Sequence, residues 1–298
     1  MRLLVTGANG QVGWELERTL QTLGQVIACD RRELNLGSSD TIRAKIRDIR
    51  PDVIVNAGAY TAVDKAESEP EQAMAVNGVA PGVLAEEAKR IGAMMVHYST
   101  DYVFDGTKTE PYMESDAPNP VSVYGSSKLA GEKAVEAVGG AYLIFRTSWV
   151  YGSRGKNFLL TILRLARERE ELRVVDDQIG APTWCRTIAE ATAQVIAKLS
   201  PGGRIDAARA VSLRGTYNLT AGGSMSWCGF ARTIVEATRA RRGGAAPKVT
   251  PITTAEYPLP ARRPANSTLS SEKFQHTFGL ACPHWDRALD LCLGDFAA

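Results

Sequence analysis

A chain of 298 residues, 44% hydrophobic and 23% charged, has the composition of a soluble globular protein, with room for one large α/β domain or a nucleotide domain plus a smaller lobe. A formal net charge of +2 argues against nucleic acid or an anionic membrane as partner, and no apolar run is long enough to span a bilayer. The five cysteines (Cys29, Cys185, Cys228, Cys282 and Cys292) are scattered without CxxC spacing and suggest neither a disulfide framework nor a zinc site.

Residues 2–6 are a short apolar run ending at glycine, the pattern of a buried strand. Helical spacing follows over 12–23, a second apolar run over 26–30 and another helical pattern over 42–49. Further strands are predicted at 52–56, 94–98 and 142–145. An Ala- and Leu-rich helix over 79–91 and another over about 126–138 separate them. Strands alternating with helices imply βαβ units, and right-handed crossovers place helices on both faces of a parallel sheet. The alternation loosens after 151. Helices are predicted at 157–169, 188–199 and 227–239, a strand at 215–219, a surface loop over 201–213 and an irregular segment around Pro258, Pro260 and Pro264. The expected class is α/β: a Rossmann-type doubly wound parallel sheet over 1–150, with a smaller C-terminal substrate-binding lobe over 151–298. Some segments of that lobe return to the first domain. Arg239, Arg241 and Arg242 read as a solvated helix end. The dispersed His97, His276 and His284 read as structural. No basic leader precedes a long apolar stretch, so the expected location is the reducing cytoplasm.

Gly7, Gly10 and Gly13 form a GxxGxxG run at the junction of the first strand and first helix. In that context the glycines serve a tight turn, close approach of backbone to a pyrophosphate, and helix–strand packing. The helix N-terminus offers free N–H groups to the phosphates. Asp30 ends the second strand, where an acid can hold the ribose hydroxyls of NAD. Arg31 and Arg32 follow and can pair with the 2′-phosphate of NADP. Both cofactors are therefore expected to bind, with NADPH favoured. Tyr124 and Lys128 are four residues apart and share a helix face, presenting a phenol and an ammonium to one pocket. Thr100 follows the fourth strand. It can bond a substrate carbonyl beside Tyr124, or it can cap the next turn.

Thr100 and the Tyr124-xxx-Lys128 pair behind a GxxGxxG strand resemble the extended short-chain dehydrogenase/reductase superfamily. Residues 56–67, 97–104, 145–151, 176–183 and 263–267 are similar to the dTDP-4-dehydrorhamnose reductase family, and the likeness covers nearly the whole chain. It implies NAD(P)H-dependent reduction of the C4 ketone of a dTDP-linked sugar, dTDP-4-dehydro-β-L-rhamnose, for surface polysaccharide. On that resemblance Tyr124 protonates the C4 oxygen, Lys128 holds the nicotinamide ribose and lowers the Tyr124 pKa, and Thr100 orients the ketone. The same resemblance has Gly7, Gly10, Gln11, Val12, Gly13, Asp30, Arg31, Asn35, Leu36, Ala59, Tyr60, Thr61 and Tyr98 line the cofactor. Thr61, Val63, Asp101, Tyr102 and Trp149 fall to the sugar. Trp149 can equally be core packing, and Asp101 a turn-forming side chain.

Related dehydratases carry an acidic pair after the threonine. Here Asp101 is followed by the phenol of Tyr102, a poor base at neutral pH, which favours simple reduction. Some members hold Mg²⁺ at a homodimer contact through several glutamates, and Glu15 matches one of them. Arg186 stands where an acid is needed, so an ion pair of Arg186 with Glu15 or Asp295 is expected to replace the metal. Asn35 departs from the usual aspartate near the adenine. Two other functions share this pattern: a reductase of another nucleotide-linked 4-keto-deoxysugar, and a non-catalytic NADP-binding regulatory subunit.

Overall fold

The computed structural model describes residues 1–239 and 246–296; Arg241 and Arg242 lie outside them. β1 (Arg2–Thr6), β2 (Gln25–Cys29), β3 (Val53–Asn56), β4 (Met94–Thr100) and β5 (Tyr142–Thr147) join the strand Gly215–Asn218 in one sheet. Its order is Gly215–Asn218, β5, β4, β3, β1, β2, and every pairing is parallel. Side chains alternate across a strand. Leu3, Val5, Val55, Val96 and Phe145 meet α1 (Gln11–Thr19) and the helix Cys185–Leu199 through Leu16, Leu20, Ile188 and Val195. Leu4, Ile54, Met95 and Ile144 pack with Ile42, Ile46, Leu84 and Val135. Because both faces are covered, the strands read as continuous apolar runs with no polar alternation.

A second core gathers Tyr151, Leu159, Ile162, Leu172, Val174, Phe230, Ile234 and Leu289. Within it Glu171–Val175 pairs in parallel with Lys248–Ile252. The helix Phe158–Glu168 buries Leu159, Ile162 and Ala166, spaced three and four apart, and Asn157 caps it by accepting from the Leu160 N–H at 3.0 Å. The helix Trp285–Gly294 closes the core through Leu289 and Leu293.

Residues 201–213 are not a single loop. Pro201–Gly203 is a 3₁₀ turn and Ala207–Ser212 a short helix, started by Asp206 accepting from the Arg209 N–H. The helix expected from about 126 begins at Val123, because Ser122 Oγ accepts from the Gly125 N–H at 3.1 Å. That cap sets Tyr124 in the first turn and Lys128 one turn later. No helix among the described residues is long and apolar enough to cross a membrane.

Candidate active site

The strand order reverses between β1 and β3, and open α/β sheets bind ligands at that point. A cavity of about 630 Å³ opens there. Gly7 takes φ +69°, and a Cβ on Gly13 would lie 2.1 Å from the Gly7 carbonyl oxygen. The turn therefore has no room for side chains, and Gly13 sits behind the cavity wall that Gly7 and Gly10 help form. Gly10 is the N-cap of α1 and makes no side-chain cap bond, so N–H groups of the first turn stay free for an anion. Gln11 ties this turn to the far side: Nε2 donates to the Val150 carbonyl and Oε1 accepts from Asn157. Gly155 and Lys156, which sequence reasoning missed, complete that wall.

Asp30, Arg31, Arg32, Asn35 and Leu36 line one end. Asp30 Oδ2 accepts from Asn9 at 2.9 Å and from the Arg32 guanidinium at 3.0 Å, while Oδ1 accepts from the Arg32 N–H at 2.7 Å. These bonds, the backbone one foremost, hold its carboxyl below the usual range. Asn35 Oδ1 is taken by the Gly37 N–H. Ala59, Tyr60 and Thr61 lie on the opposite lip, fixed by Asn77, which bonds the Tyr60 backbone and the Ser127 hydroxyl. Asn77 was also missed; nothing in its local sequence marks it.

Tyr124 and Lys128 both face the cavity. Lys128 Nζ donates to the Tyr98 carbonyl at 2.6 Å, and burial pulls its pKa down to about 8. Tyr98 borders the cavity, but its hydroxyl is tied to Thr192 at 2.7 Å. The expected lowering of the Tyr124 pKa by Lys128 is absent in this ligand-free chain. Burial pushes the phenol up to about 12, opposed by a hydrogen bond with Thr100. Ser99 Oγ and Thr147 Oγ1 are buried without partners in residues lining the cavity, as though awaiting polar groups of a ligand. The free N–H groups, the side-chain-free turn, the cations and these orphaned hydroxyls suit a dinucleotide.

The remaining predicted residues divide. Thr100 and Asp101 lie buried behind Tyr124, with Thr100 Oγ1 donating to Asp101 Oδ1 at 3.0 Å. Tyr102 meets Tyr124 edge-on at 5.9 Å, and burial raises its pKa further. Val63 opens the short helix Val63–Ala66, whose Asp64 pairs with Arg263 at 2.7 Å. Trp149 has φ +45°, rare for a bulky residue, and its indole stacks on Trp227 at 3.4 Å and 3°. Trp227 was read only as the start of a helix. A Cβ on Gly180 would lie 2.3 Å from the Trp149 ring, so Gly180 and Trp227 enclose that indole. Gly180→Ala is expected to displace it and lower kcat/KM for the sugar about 10- to 100-fold. An unchanged Kd for NADPH in the same titration would separate this from general damage.

Glu15 lies near Arg186, which bonds Glu190 at 3.0 Å and pairs with Asp295 at 3.8 Å. Among the described residues Arg186 makes no direct pair with Glu15, and no three His, Cys, Asp or Glu side chains converge to hold a metal. A guanidinium among these carboxylates does not fit Mg²⁺.

The family profile described as "RmlD substrate binding domain" matches residues 1–298. The chain is 54% identical over 298 residues to the dTDP-4-dehydrorhamnose reductase of Burkholderia thailandensis, covering 99% of both chains. Its structure is similar to that of the Clostridium acetobutylicum dTDP-4-dehydrorhamnose reductase ortholog, with TM-score 0.91, 36% identity and 100% of both chains covered. It is also similar to the Bacillus anthracis dTDP-4-dehydrorhamnose reductase in complex with NADP, with TM-score 0.89, 34% identity and 99% of both chains covered. The chain belongs to the RmlD substrate binding domain family, among the dTDP-4-dehydrorhamnose reductases.

Proposed function

We infer that this protein reduces the C4 ketone of dTDP-4-dehydro-β-L-rhamnose to dTDP-β-L-rhamnose with NADPH. The observation that carries this is the Tyr124–Lys128 pair on the wall of the dinucleotide cavity, in a chain 54% identical to a reductase of that name. Bound NADPH supplies the hydride. Tyr124 gives its proton to the C4 oxygen. A phenol with a raised pKa stays protonated at neutral pH, which suits an acid in the reducing direction. Thr100 orients the ketone, and Lys128 holds the nicotinamide ribose. Trp149, Tyr102, Thr61 and Val63 face the sugar, with Trp227 backing Trp149. The raised Tyr102 pKa makes it a weaker base still and argues for reduction over dehydration. Residues 151–298 mainly form the substrate lobe; Cys185–Leu199 and Gly215–Asn218 are its returns to the nucleotide layer. Following NADPH absorbance with this keto-sugar tests the reading. Turnover only with a different nucleotide-linked 4-keto sugar would reassign the substrate.

NADPH is the preferred donor and NADH a slower one. Asp30 is already bound by Arg32, which is 90% exposed and free to swing to a 2′-phosphate. Replacing Arg31 and Arg32 together by alanine is expected to cut kcat/KM for NADPH about tenfold, with little change for NADH. Equal losses with both cofactors would remove the 2′-phosphate role.

A further inference from the structure

Asp101 is a buried acid, 2% exposed, that does not line the cavity. It opens the 3₁₀ turn Asp101–Val103 at the end of β4. Its Oδ1 accepts from Thr100 Oγ1 at 3.0 Å and its Oδ2 from Ser148 Oγ at 2.8 Å. The Ser267 hydroxyl reaches it as well. Thr100 Oγ1 accepts the Tyr102 N–H at 3.2 Å and shares a hydrogen bond with the Tyr124 hydroxyl. An unbroken chain of hydroxyls therefore runs from Tyr124 through Thr100 to Asp101.

Thr100 owns one proton. While Asp101 is ionised, that proton points at the carboxylate and is withheld from both Tyr124 and a ketone. When Asp101 carries a proton, each bond can reverse: Asp101 donates to Thr100, Thr100 to Tyr124, and Tyr124 toward the cavity. We propose that Asp101 is the proton reservoir of the reduction, delivering through Thr100 to Tyr124. This rests on the reading of Tyr124 as the acid. As hydride adds to C4, the carbonyl π electrons move to oxygen, which bonds the Tyr124 proton. Tyr124 takes the Thr100 proton, and Thr100 takes that of Asp101. The ketone gains two electrons from the dihydronicotinamide and one proton from the chain. Asp101 is left as a carboxylate held by three hydroxyls, and it regains a proton from solvent before the next turnover.

The surroundings favour such a role. Burial pushes the Asp101 carboxyl up to about 6 against the pull of Ser267, Ser148 and Thr100, so a protonated fraction persists near neutral pH. The groups facing it are the phenols of Tyr102 and Tyr124. Lys128 stands one turn beyond Tyr124, and Arg263 lies beyond Tyr102, already paired with Asp64. None of these cations forms an ion pair with Asp101 among the described residues, and so none pins it ionised.

Asp101→Asn keeps a donor toward Thr100 but has no proton to release. Its kcat is expected to fall about 100-fold, with KM and the Kd for NADPH within about twofold. The relay needs the protonated acid, so the parent kcat should be highest below the Asp101 pKa and fall as pH rises through it; the Asn variant should lose that limb. Ser148→Ala removes a bond that favours the carboxylate, raises the proton affinity of Asp101 and should move the limb to higher pH. The Ser148 variant decides the matter if the Asn variant does not fold. An Asn variant with kcat within about twofold of the parent, or one that retains the pH limb, overturns the proposal. So does a Ser148→Ala limb that stays in place or moves to lower pH. If Tyr124→Phe loses turnover while Asp101→Asn does not, the acid assignment stands and only the reservoir fails.

Discussion

Tyr124→Phe is expected to lower kcat by about 10²–10⁴-fold while leaving the Kd for NADPH within about twofold. The substitution removes one oxygen and keeps the ring, so packing against Tyr102 and the wall of the cavity survives. What disappears is the proton delivered as charge builds on the C4 oxygen. Water is a poor substitute: Tyr124 sits deep enough that burial alone moves its pKa by about two units. Steady-state NADPH oxidation gives kcat, and a fluorescence titration gives the Kd. A variant that turns over at near the parent rate removes Tyr124 from the chemistry, and the family likeness would then need another acid. A variant that loses both turnover and cofactor binding shows instead that the ring shapes the cavity.

Glu132→Ala is expected to destabilise the fold by about 3–5 kcal/mol, the largest stability effect at any ion pair in the structure. Arg146 of β5 and Glu132 of the helix Val123–Val138 form a two-pronged pair at 2.6 and 2.9 Å, with side chains 5% and 2% exposed. Removing the acid leaves a guanidinium in the interior. Arg146 Nη1 already lacks a partner, so nearby groups offer it no second acceptor. Arg164–Glu168 makes the contrast: at 59% and 50% exposure its loss should cost only about 0.2–1 kcal/mol. Urea melts of both variants test the ordering. Glu132→Leu combined with Arg146→Met should be milder than Glu132→Ala, because no charge remains buried. A Glu132→Ala loss below about 1 kcal/mol means that solvent reaches the pair. The effect reaches function, since this helix carries Tyr124 and Lys128.

The parallel sheet was legible because runs such as 2–6 and 53–56 are apolar on both strand faces and are joined by helical spacing. Helix ends were less legible. Ser122 reads as one more polar residue in a loop until its hydroxyl is seen on the Gly125 N–H. The Glu171–Val175 and Lys248–Ile252 pair escaped because its partners are far apart in sequence and no turn announces them. At the site, glycine spacing and the Tyr124–Lys128 interval were visible because backbone geometry dictates them. Ser99, Thr147, Asn77 and Trp227 were not. Their types are ordinary, and only the fold brings them to the cavity or to Trp149. Electrostatics was the least legible. The i, i+4 interval suggested that Lys128 would lower the Tyr124 pKa, but Lys128 is bonded to a carbonyl and burial dominates the phenol.

The helix Cys185–Leu199 packs on α1, and Gly215–Asn218 completes the sheet beside β5. A nascent chain stopped at residue 150 would thus hold five strands with Leu16, Leu20, Val55 and Phe145 still short of their cover. At about 5–20 residues per second, the missing strand follows roughly 3–14 s later. Over that interval the half-made nucleotide layer exposes an apolar face and an open edge at β5, the surfaces that holding chaperones bind. This enzyme's first half is made early but finished late.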